Sequence, residues 1–257
     1  METLKNKLVC ITGASSGIGA ACASEFARQG CALLLMARRN DRLATLAADL
    51  SAKYSVRTLP IQLDVRHHAE VERVFAELPD AWKKIDILVN NAGLARGLSK
   101  LQEGNQQDWE EMIDTNIKGL LYVTRTVLPD MVKRNKGHVI NIGSIAGHQL
   151  YPNGNVYCAT KFAVDALTQG MRMDLLGTAV RVTSVDPGLV ETEFSQVRFR
   201  GDTERAAKTY TNTVPLRPED VAEVVVFCAT RPPHVDISDI IVMPTAQASA
   251  NHVHRTS

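Results

Sequence analysis

The feature that most constrains this chain lies at residues 8–19, where the run LVCIT passes directly into GASSGIG. A short apolar run without polar alternation describes a strand buried on both faces, as in a parallel sheet. From Ile18 the spacing changes to three and four, through Ala21, Cys22 and Phe26, until Gly30 closes the segment. That spacing predicts a helix. A strand that turns sharply into a helix needs glycine, and Gly13, Gly17 and Gly19 supply it in a G-x-x-x-G-x-G arrangement. Such a turn lets backbone approach a pyrophosphate and aims the free N–H groups of the helix N-terminus at it. Ser15 and Ser16 add hydroxyl donors beside Ile18. The turn predicts a dinucleotide site rather than a purely structural bend.

The alternation continues to the end of the chain. Further strands are predicted at ALLLM (32–36), VRTLPIQLDV (56–65), IDILVNNAG (85–93), HVINIGS (138–144), AVRVTSVDP (179–187) and DIIVM (239–243). Helices are expected over 40–53, 67–83, 107–134, 155–176 and from Pro218 to about Thr230, with a polar stretch reaching Val214. Length leaves one or two domains open, but no linker or repeat interrupts the pattern. The expectation is one doubly wound α/β domain of the Rossmann type over residues 1–257, with about seven parallel strands.

Hydrophobic residues make up 45% of the chain and charged residues 22%, the balance of a protein with a sizeable core. A net charge of +1 gives no field to attract nucleic acid or an anionic membrane. Five cysteines are scattered without metal spacing, so no metal site is predicted; Cys10 and Cys22 read as small core residues. An odd, unpaired set fits a reducing compartment. METLKNKLVCITG has no long apolar stretch before its glycine turn, and no apolar run reaches membrane length. A cytoplasmic protein is the expectation.

Choice between NAD and NADP should be made at the end of the second strand. NAD sites place an acid there for the ribose hydroxyls. Here the position falls on Ala37, followed by Arg38 and Arg39. Two guanidinium groups suit a 2′-phosphate, and NADP(H) is the predicted cofactor. Asp64, before Val65, can accept from an adenine amino group. At 90–93, NNAG sits where the fourth strand leaves the sheet: Asn91 and Ala92 precede Gly93, which admits close backbone, and Asn90 reads equally well as structural.

The chemistry points to residues 141–161. Tyr157 and Lys161 stand four apart, on one face of a helix that begins at Asn155. A phenol ionises near pH 10, and a neighbouring ammonium favours the phenolate. Ser144, delivered by a strand end, can hold the oxygen that the tyrosine protonates or deprotonates. The set interconverts a carbinol and a carbonyl. Taken alone, Tyr-x-x-x-Lys also describes a buried tyrosine with a snorkelling lysine.

TGASSGIG (12–19), NNAG (90–93), Asn116 in DTNIKG, Ser144, Tyr157 with Lys161, and PGLVET (187–192) occur in this order. Together, across essentially the whole chain, they resemble the short-chain dehydrogenase/reductase family. The resemblance implies that Tyr157 is the acid–base, that Lys161 lowers its pKa and binds the nicotinamide ribose, and that Ser144 orients the substrate oxygen. It implies that Asn116 holds a water in a proton relay. Pro187 and Gly188 would shape the turn around the nicotinamide, with the backbone of Val190 and the hydroxyl of Thr192 holding its carboxamide. Longer segments such as DWEEMIDTNIKGLLYVTR and GTAVRVTSVDPGLVETEFSQVRFRGD are similar to the branch of NADP-dependent 3-hydroxy acid dehydrogenases. That branch includes serine 3-dehydrogenase and malonic semialdehyde or sulfoacetaldehyde reductase activities. Ile18, near which that branch often carries phenylalanine, and HQLYPNGN (148–155) are departures. Members are commonly homotetramers, which is the assembly the resemblance implies.

Substrate choice is expected in the loop of about 190–214, where Arg198, Arg200, Arg205 and Lys208 lie close together with Phe194 and Phe199. A carboxylate or sulfonate beside the reacting carbinol needs a cation. Arg198 is the first candidate, Arg200 or Arg96 the next, against a solvated charge run or a subunit contact. His148 is expected near the pocket, as a wall residue. The tail, 244–257, is long enough to reach a neighbouring subunit or to cover an active site. The expected substrate is a small molecule, a short 3-hydroxy acid or its aldehyde. Reductases of 3-oxoacyl thioesters or bulkier ketones share the catalytic set, and a non-catalytic NADP-sensing protein is the remote alternative.

Overall fold

The computed structural model describes residues 3–256, so Met1, Glu2 and Ser257 of the expected domain and tail lie outside the described residues. Seven strands form one parallel sheet: β1 (Leu8–Thr12), β2 (Ala32–Ala37), β3 (Thr58–Gln62), β4 (Ile87–Asn90), β5 (Gly137–Ile142), β6 (Val180–Pro187) and β7 (Asp239–Val242). Their spatial order is β3-β2-β1-β4-β5-β6-β7. This Rossmann-type arrangement puts β1 beside β4, where successive crossovers leave in opposite directions and a crevice opens at the carboxyl ends.

The helices are α1 (Gly17–Arg28), α2 (Asn40–Tyr54), α3 (His68–Ala76), α4 (Gln106–Ile113), α5 (Leu120–Lys133), α6 (Asn155–Asp174), α7 (Phe194–Arg198), α8 (Thr203–Lys208) and α9 (Pro218–Ala229). One core lies between the sheet and α1, α2 and α9, around Phe26, Leu33 and Val225. A second lies on the opposite face, around Leu34, Leu88 and Met131. Strands β1 and β2 are buried at every position, which is why they read as unbroken apolar runs. Cys10 and Cys22 are free thiols buried in these two cores.

Four boundaries differ from the sequence reading. The third strand is short and carries Pro60 at its centre, tolerable because β3 is the sheet edge. The helix expected to reach 83 ends at Ala76, and Pro79 starts a separate 3-10 turn over Asp80–Trp82. The long helix expected over 107–134 changes to π-helical geometry over Asp114–Gly119, around Asn116. Such one-turn expansions are frequent at functional sites. The polar stretch before Val214 contains α7 and α8, the latter started by Asp202, whose side chain accepts from Arg205 N. Among the described residues, no helix is long and apolar enough to cross a membrane.

Candidate active site

A cavity of about 540 Å³ opens along the carboxyl ends of the strands. At one end is the glycine turn. Gly13 has φ +65°, and a Cβ on Gly19 would lie 2.4 Å from the Gly13 carbonyl oxygen, so the turn closes only without side chains. Asn91 and Thr12 lock it to β4. Asn91 Nδ2 donates to the carbonyls of Thr12 and Gly13 at 3.0 and 3.2 Å, while Thr12 Oγ1 accepts from the N–H groups of Asn91 and Ala92. Asn90 points away from the cavity, donating to Thr124 and Asn141 in a buried polar chain.

Strand β2 ends at Ala37 as expected, and Arg38 and Arg39 line the cavity beyond it. Arg39 is tightly held: Nε donates to Ser15 Oγ at 3.2 Å, one terminal nitrogen to Ser16 Oγ at 2.6 Å and the other to Glu193 at 2.8 Å. Arg42 donates to the same carboxylate at 2.6 Å. Arg42 and Arg39 together hold Glu193 below the usual carboxylate range. Exposed Arg38 leaves its guanidinium toward solvent at the cavity mouth. Asp64 lines the cavity, but both its oxygens accept from Arg66. Burial pushes its carboxyl up, yet the bonds from Arg66 outweigh that and hold it low. The carboxylate expected to accept from an adenine amino group is thus already paired with a guanidinium, which the sequence reading had not foreseen.

At the middle of the cavity stand Ser144, Tyr157 and Lys161. Ser144 follows β5 and its hydroxyl accepts from Ala146 N at 3.1 Å. Helix α6 begins at Asn155 and carries Tyr157 and Lys161 on its buried face. Burial pushes the Tyr157 phenol up; Arg198 and a hydrogen bond with Ser144 oppose that shift. Arg198 is thus a second cation beside the phenol, one that sequence spacing did not point to. Lys161 Nζ is 2.9 Å from the Ile142 carbonyl, to which it donates, and burial lowers its pKa to about 8 against the pull of Asp186.

Two expected residues do not reach the cavity wall, and a third serves packing. Asn116 is buried behind it, with Oδ1 accepting from Leu94 N and Nδ2 donating to Leu94 O and Thr160 Oγ1. That side chain fixes the segment after NNAG against α6. His148 turns away from the cavity and its Nε2 lies 3.1 Å from Asp186 Oδ2, so it is not a wall residue. Gly19 packs against the turn and lines nothing.

The far end is built by later segments. Arg198, at the end of α7, donates to Tyr151 Oη at 2.7 Å. Its guanidinium carbon lies 5.1 Å from the ring centres of Tyr157 and Phe194, and its buried Nε has no partner. The two alternative cations are occupied elsewhere: Arg96 by Glu111 and Arg200 by Asp108. Pro187 ends β6, and Gly188 N donates to Val242 O. The Val190 carbonyl accepts from Tyr210 Oη at 3.0 Å, and Thr192 Oγ1 accepts from Phe194 N. The tail folds over its own chain. Gln247 Oε1 accepts from Leu189 N at 2.7 Å, Asn251 donates to Leu150 O, and Arg255 lines the cavity while donating to carbonyls at Thr209 and Thr211. Tyr151 belongs to HQLYPNGN, the segment expected to line the pocket, and Gln247 and Arg255 to the tail, but neither these three nor Glu193 was singled out from sequence. For Glu193 the signal was its place beside Thr192.

A nucleotide-binding α/β fold with a serine, a buried tyrosine and a lysine at the carboxyl ends of its central strands defines an oxidoreductase class. The short chain dehydrogenase family model matches residues 7–202, and the chain belongs to that family. It is 51% identical over 251 residues to the NADP-dependent 3-hydroxy acid dehydrogenase YdfG of Salmonella typhi, covering 97% of this chain and all of the relative. Identity to the NADP-dependent 3-hydroxy acid dehydrogenase of Schizosaccharomyces pombe is 46%, over 99% of both chains. Among solved structures, the closed form of serine dehydrogenase complexed with NADP+ superposes with a TM-score of 0.90 at 50% identity, over 97% of this chain and all of that one.

Proposed function

We propose that this protein is an NADP-dependent oxidoreductase that interconverts a short 3-hydroxy acid and its aldehyde or ketone. One observation carries the reading: Ser144, Tyr157, Lys161 and Arg198, whose buried Nε has no hydrogen-bond partner, all line one cavity, whose other end presents the glycine turn and two arginines. That end fits a phosphorylated dinucleotide, because it offers two serine hydroxyls, a helix N-terminus and guanidinium groups with no acid at Ala37. Arg38 is the residue that would hold the 2′-phosphate, with Arg39 already joined to Ser15 and Ser16 behind it. When bound, the nicotinamide supplies or receives the hydride.

The chain's own residues do the rest. Tyr157 moves the proton at the carbinol oxygen, and Ser144 donates to that oxygen and holds it beside the phenol. Lys161 reaches the nicotinamide ribose from its place on the Ile142 carbonyl. Asn116 fixes the π-turn behind the site through its bonds to Leu94 and Thr160. Arg198 pairs the substrate carboxylate, for which its free Nε and its place over the Tyr157 ring are suited. This geometry favours short anionic substrates over bulky thioesters, since Tyr151, Phe194 and the tail close the far end.

The test is steady-state kinetics with L-serine, 3-hydroxyisobutyrate, 3-hydroxypropionate, malonic semialdehyde and sulfoacetaldehyde, beside uncharged alcohols and a 3-oxoacyl thioester. Anionic compounds should give the highest kcat/KM; a preference for the thioester would overturn the substrate assignment. We also assign a homotetramer in the cytoplasm. Exposed Leu121 and Val132 on α5, Phe162 and Met173 on α6, and Phe227 and Ile241 at α9 and β7 support two apolar contacts. A light-scattering mass near that of the 28.1 kDa single chain would exclude the tetramer.

A further inference from the structure

Behind the Ser144 side of the cavity lies a buried carboxylate that the hydride and proton transfers do not use. Asp186 is 1% exposed, at the last turn of β6 before Pro187. Its Oδ1 accepts from Ser144 N at 3.1 Å and from Ser184 Oγ at 2.8 Å. Its Oδ2 faces His148 Nε2 at 3.1 Å, and the side chain of His148 is 26% exposed. The fold makes room for this group: a Cβ on Gly143 would lie 1.8 Å from Asp186 Oδ1. A buried charge is retained only where donors and an opposite charge meet it. Here the donors come from the β5 end, from β6 and from the loop after β5, and the opposite charge is the Lys161 ammonium of α6.

We propose, resting on the roles given above to Ser144, Tyr157 and Lys161, that Asp186 and His148 are a pair of positioning residues for the carbinol–carbonyl step. Asp186 holds the Ser144 backbone and stands as counter-charge to Lys161, and His148 caps the outer oxygen of that carboxylate. Neither touches substrate or cofactor in this assignment.

The electrostatics agree in sign. Burial lowers the Lys161 pKa to about 8, and Asp186 is the group that pulls it back up. Burial likewise raises the Asp186 carboxyl, while Ser184 and His148 oppose that rise and Asp239 of β7 adds to it. Loss of the Asp186 charge therefore lets Lys161 lose its ammonium at lower pH. Loss of the His148 donor favours protonated Asp186 and acts in the same direction, by less. His148 is reached from solvent, so it can be replaced with little change to the packed core.

The experiment is the pH profile of carbonyl reduction by NADPH, on the full chain, with the panel compound of highest kcat/KM. Asp186→Asn should lower the alkaline limb of kcat by about one to two pH units, the range for a lost opposite charge. His148→Leu should lower it by about half a unit. His148→Gln, which returns an N–H to the same oxygen, should restore the wild-type limb. KM for the carbonyl should stay near wild type in all three. If Asp186→Asn fails to fold, the two His148 variants carry the test. An alkaline limb unmoved in His148→Leu, or unrestored in His148→Gln, overturns the proposal. Tyr157→Phe separates the two levels: turnover retained in that variant would sink the underlying roles, whatever the His148 variants do.

Discussion

At the glycine-turn end of the cavity, a dense set of backbone and side-chain hydrogen bonds fixes the turn. Asn91 holds the carbonyls of Thr12 and Gly13, and Arg39 ties both turn serines to the end of β2. At the far end, the wall comes from segments remote in sequence: Tyr151 before α6, Phe194 and Arg198 on α7, and Gln247 and Arg255 of the tail. The first end is part of the sheet and presents main-chain donors. The second packs side chains onto the sheet and buries one guanidinium nitrogen without a partner. Substitutions at the first end should change which nucleotide is used, and at the second which substrate is used. The residues between them serve both.

The largest effect belongs to that middle ground. Tyr157→Phe keeps the ring under Arg198 but removes the proton carrier, so kcat should fall by about two to four powers of ten. Binding of NADP, followed by fluorescence titration, should be unchanged. Comparable losses of turnover and nucleotide affinity would break the division between the two ends.

Next comes Arg198. Arg198→Met should raise KM for anionic substrates about tenfold to a hundredfold, the cost of a charge-assisted hydrogen bond, and leave KM for NADP alone. It also carries a pH signature. Burial raises the Tyr157 pKa and Arg198 is the first group to oppose it, so removing the guanidinium should raise that pKa further. For alcohol oxidation, which needs the phenolate, the acid limb of the profile should then move to higher pH. Equal losses for charged and uncharged alcohols would make Arg198 a support for the loop and nothing more.

At the other end the expected change is smaller, because Arg38 is exposed and its contact is open to solvent screening. Arg38→Leu should cut kcat/KM for NADPH by about tenfold while leaving NADH nearly unaffected. Adding Ala37→Asp should carry the preference over to NAD. The corresponding change at Arg39 should disturb both nucleotides, since that guanidinium holds Ser15 and Ser16 in place.

The unequal construction of the two ends also explains what was legible in the sequence. Strands β1 and β2 are buried on both faces and read as unbroken apolar runs, and the turn glycines meet a steric demand that no other residue satisfies. Tyr157 and Lys161 share a helix face by their spacing, but it took the glycine turn, NNAG and Ser144 ahead of them to give that spacing a chemical meaning. What stayed hidden depends on tertiary approach. The side chain of His148 turns to Asp186, 38 positions away, and Lys161 donates to the Ile142 carbonyl. Arg96 and Arg200 were ranked as spare cations because their acids, Glu111 and Asp108, lie on α4, far from Arg200 in sequence. The π-turn around Asn116 left no mark in a composition that reads as continuous helix.

The smallest expected effect tests whether the tail belongs to the site at all. Gln247 lies 58 positions from Leu189, yet its Oε1 accepts the Leu189 N–H at 2.7 Å, and a Cβ on Gly188 would meet that oxygen at 2.5 Å. The contact therefore braces the turn after β6 from above, on the side where Val190 and Thr192 follow. Gln247 is buried, and Gln247→Ala removes two neutral hydrogen bonds, from Leu189 N and to Ser249 O, and strands one backbone donor at Leu189. A single neutral bond contributes about 0.5–1.5 kcal/mol, which corresponds to roughly twofold to tenfold in kcat/KM. If the tail only shields the far end, that loss should appear as a higher KM for the hydroxy acid. If it braces the nicotinamide frame, the loss should appear in KM for NADP as well, and Arg255→Met, which removes the bonds to the Thr209 and Thr211 carbonyls, should not reproduce it. A higher KM for the hydroxy acid alone in both variants would place the whole tail with the substrate end and restore the simple division between the two halves of the cavity.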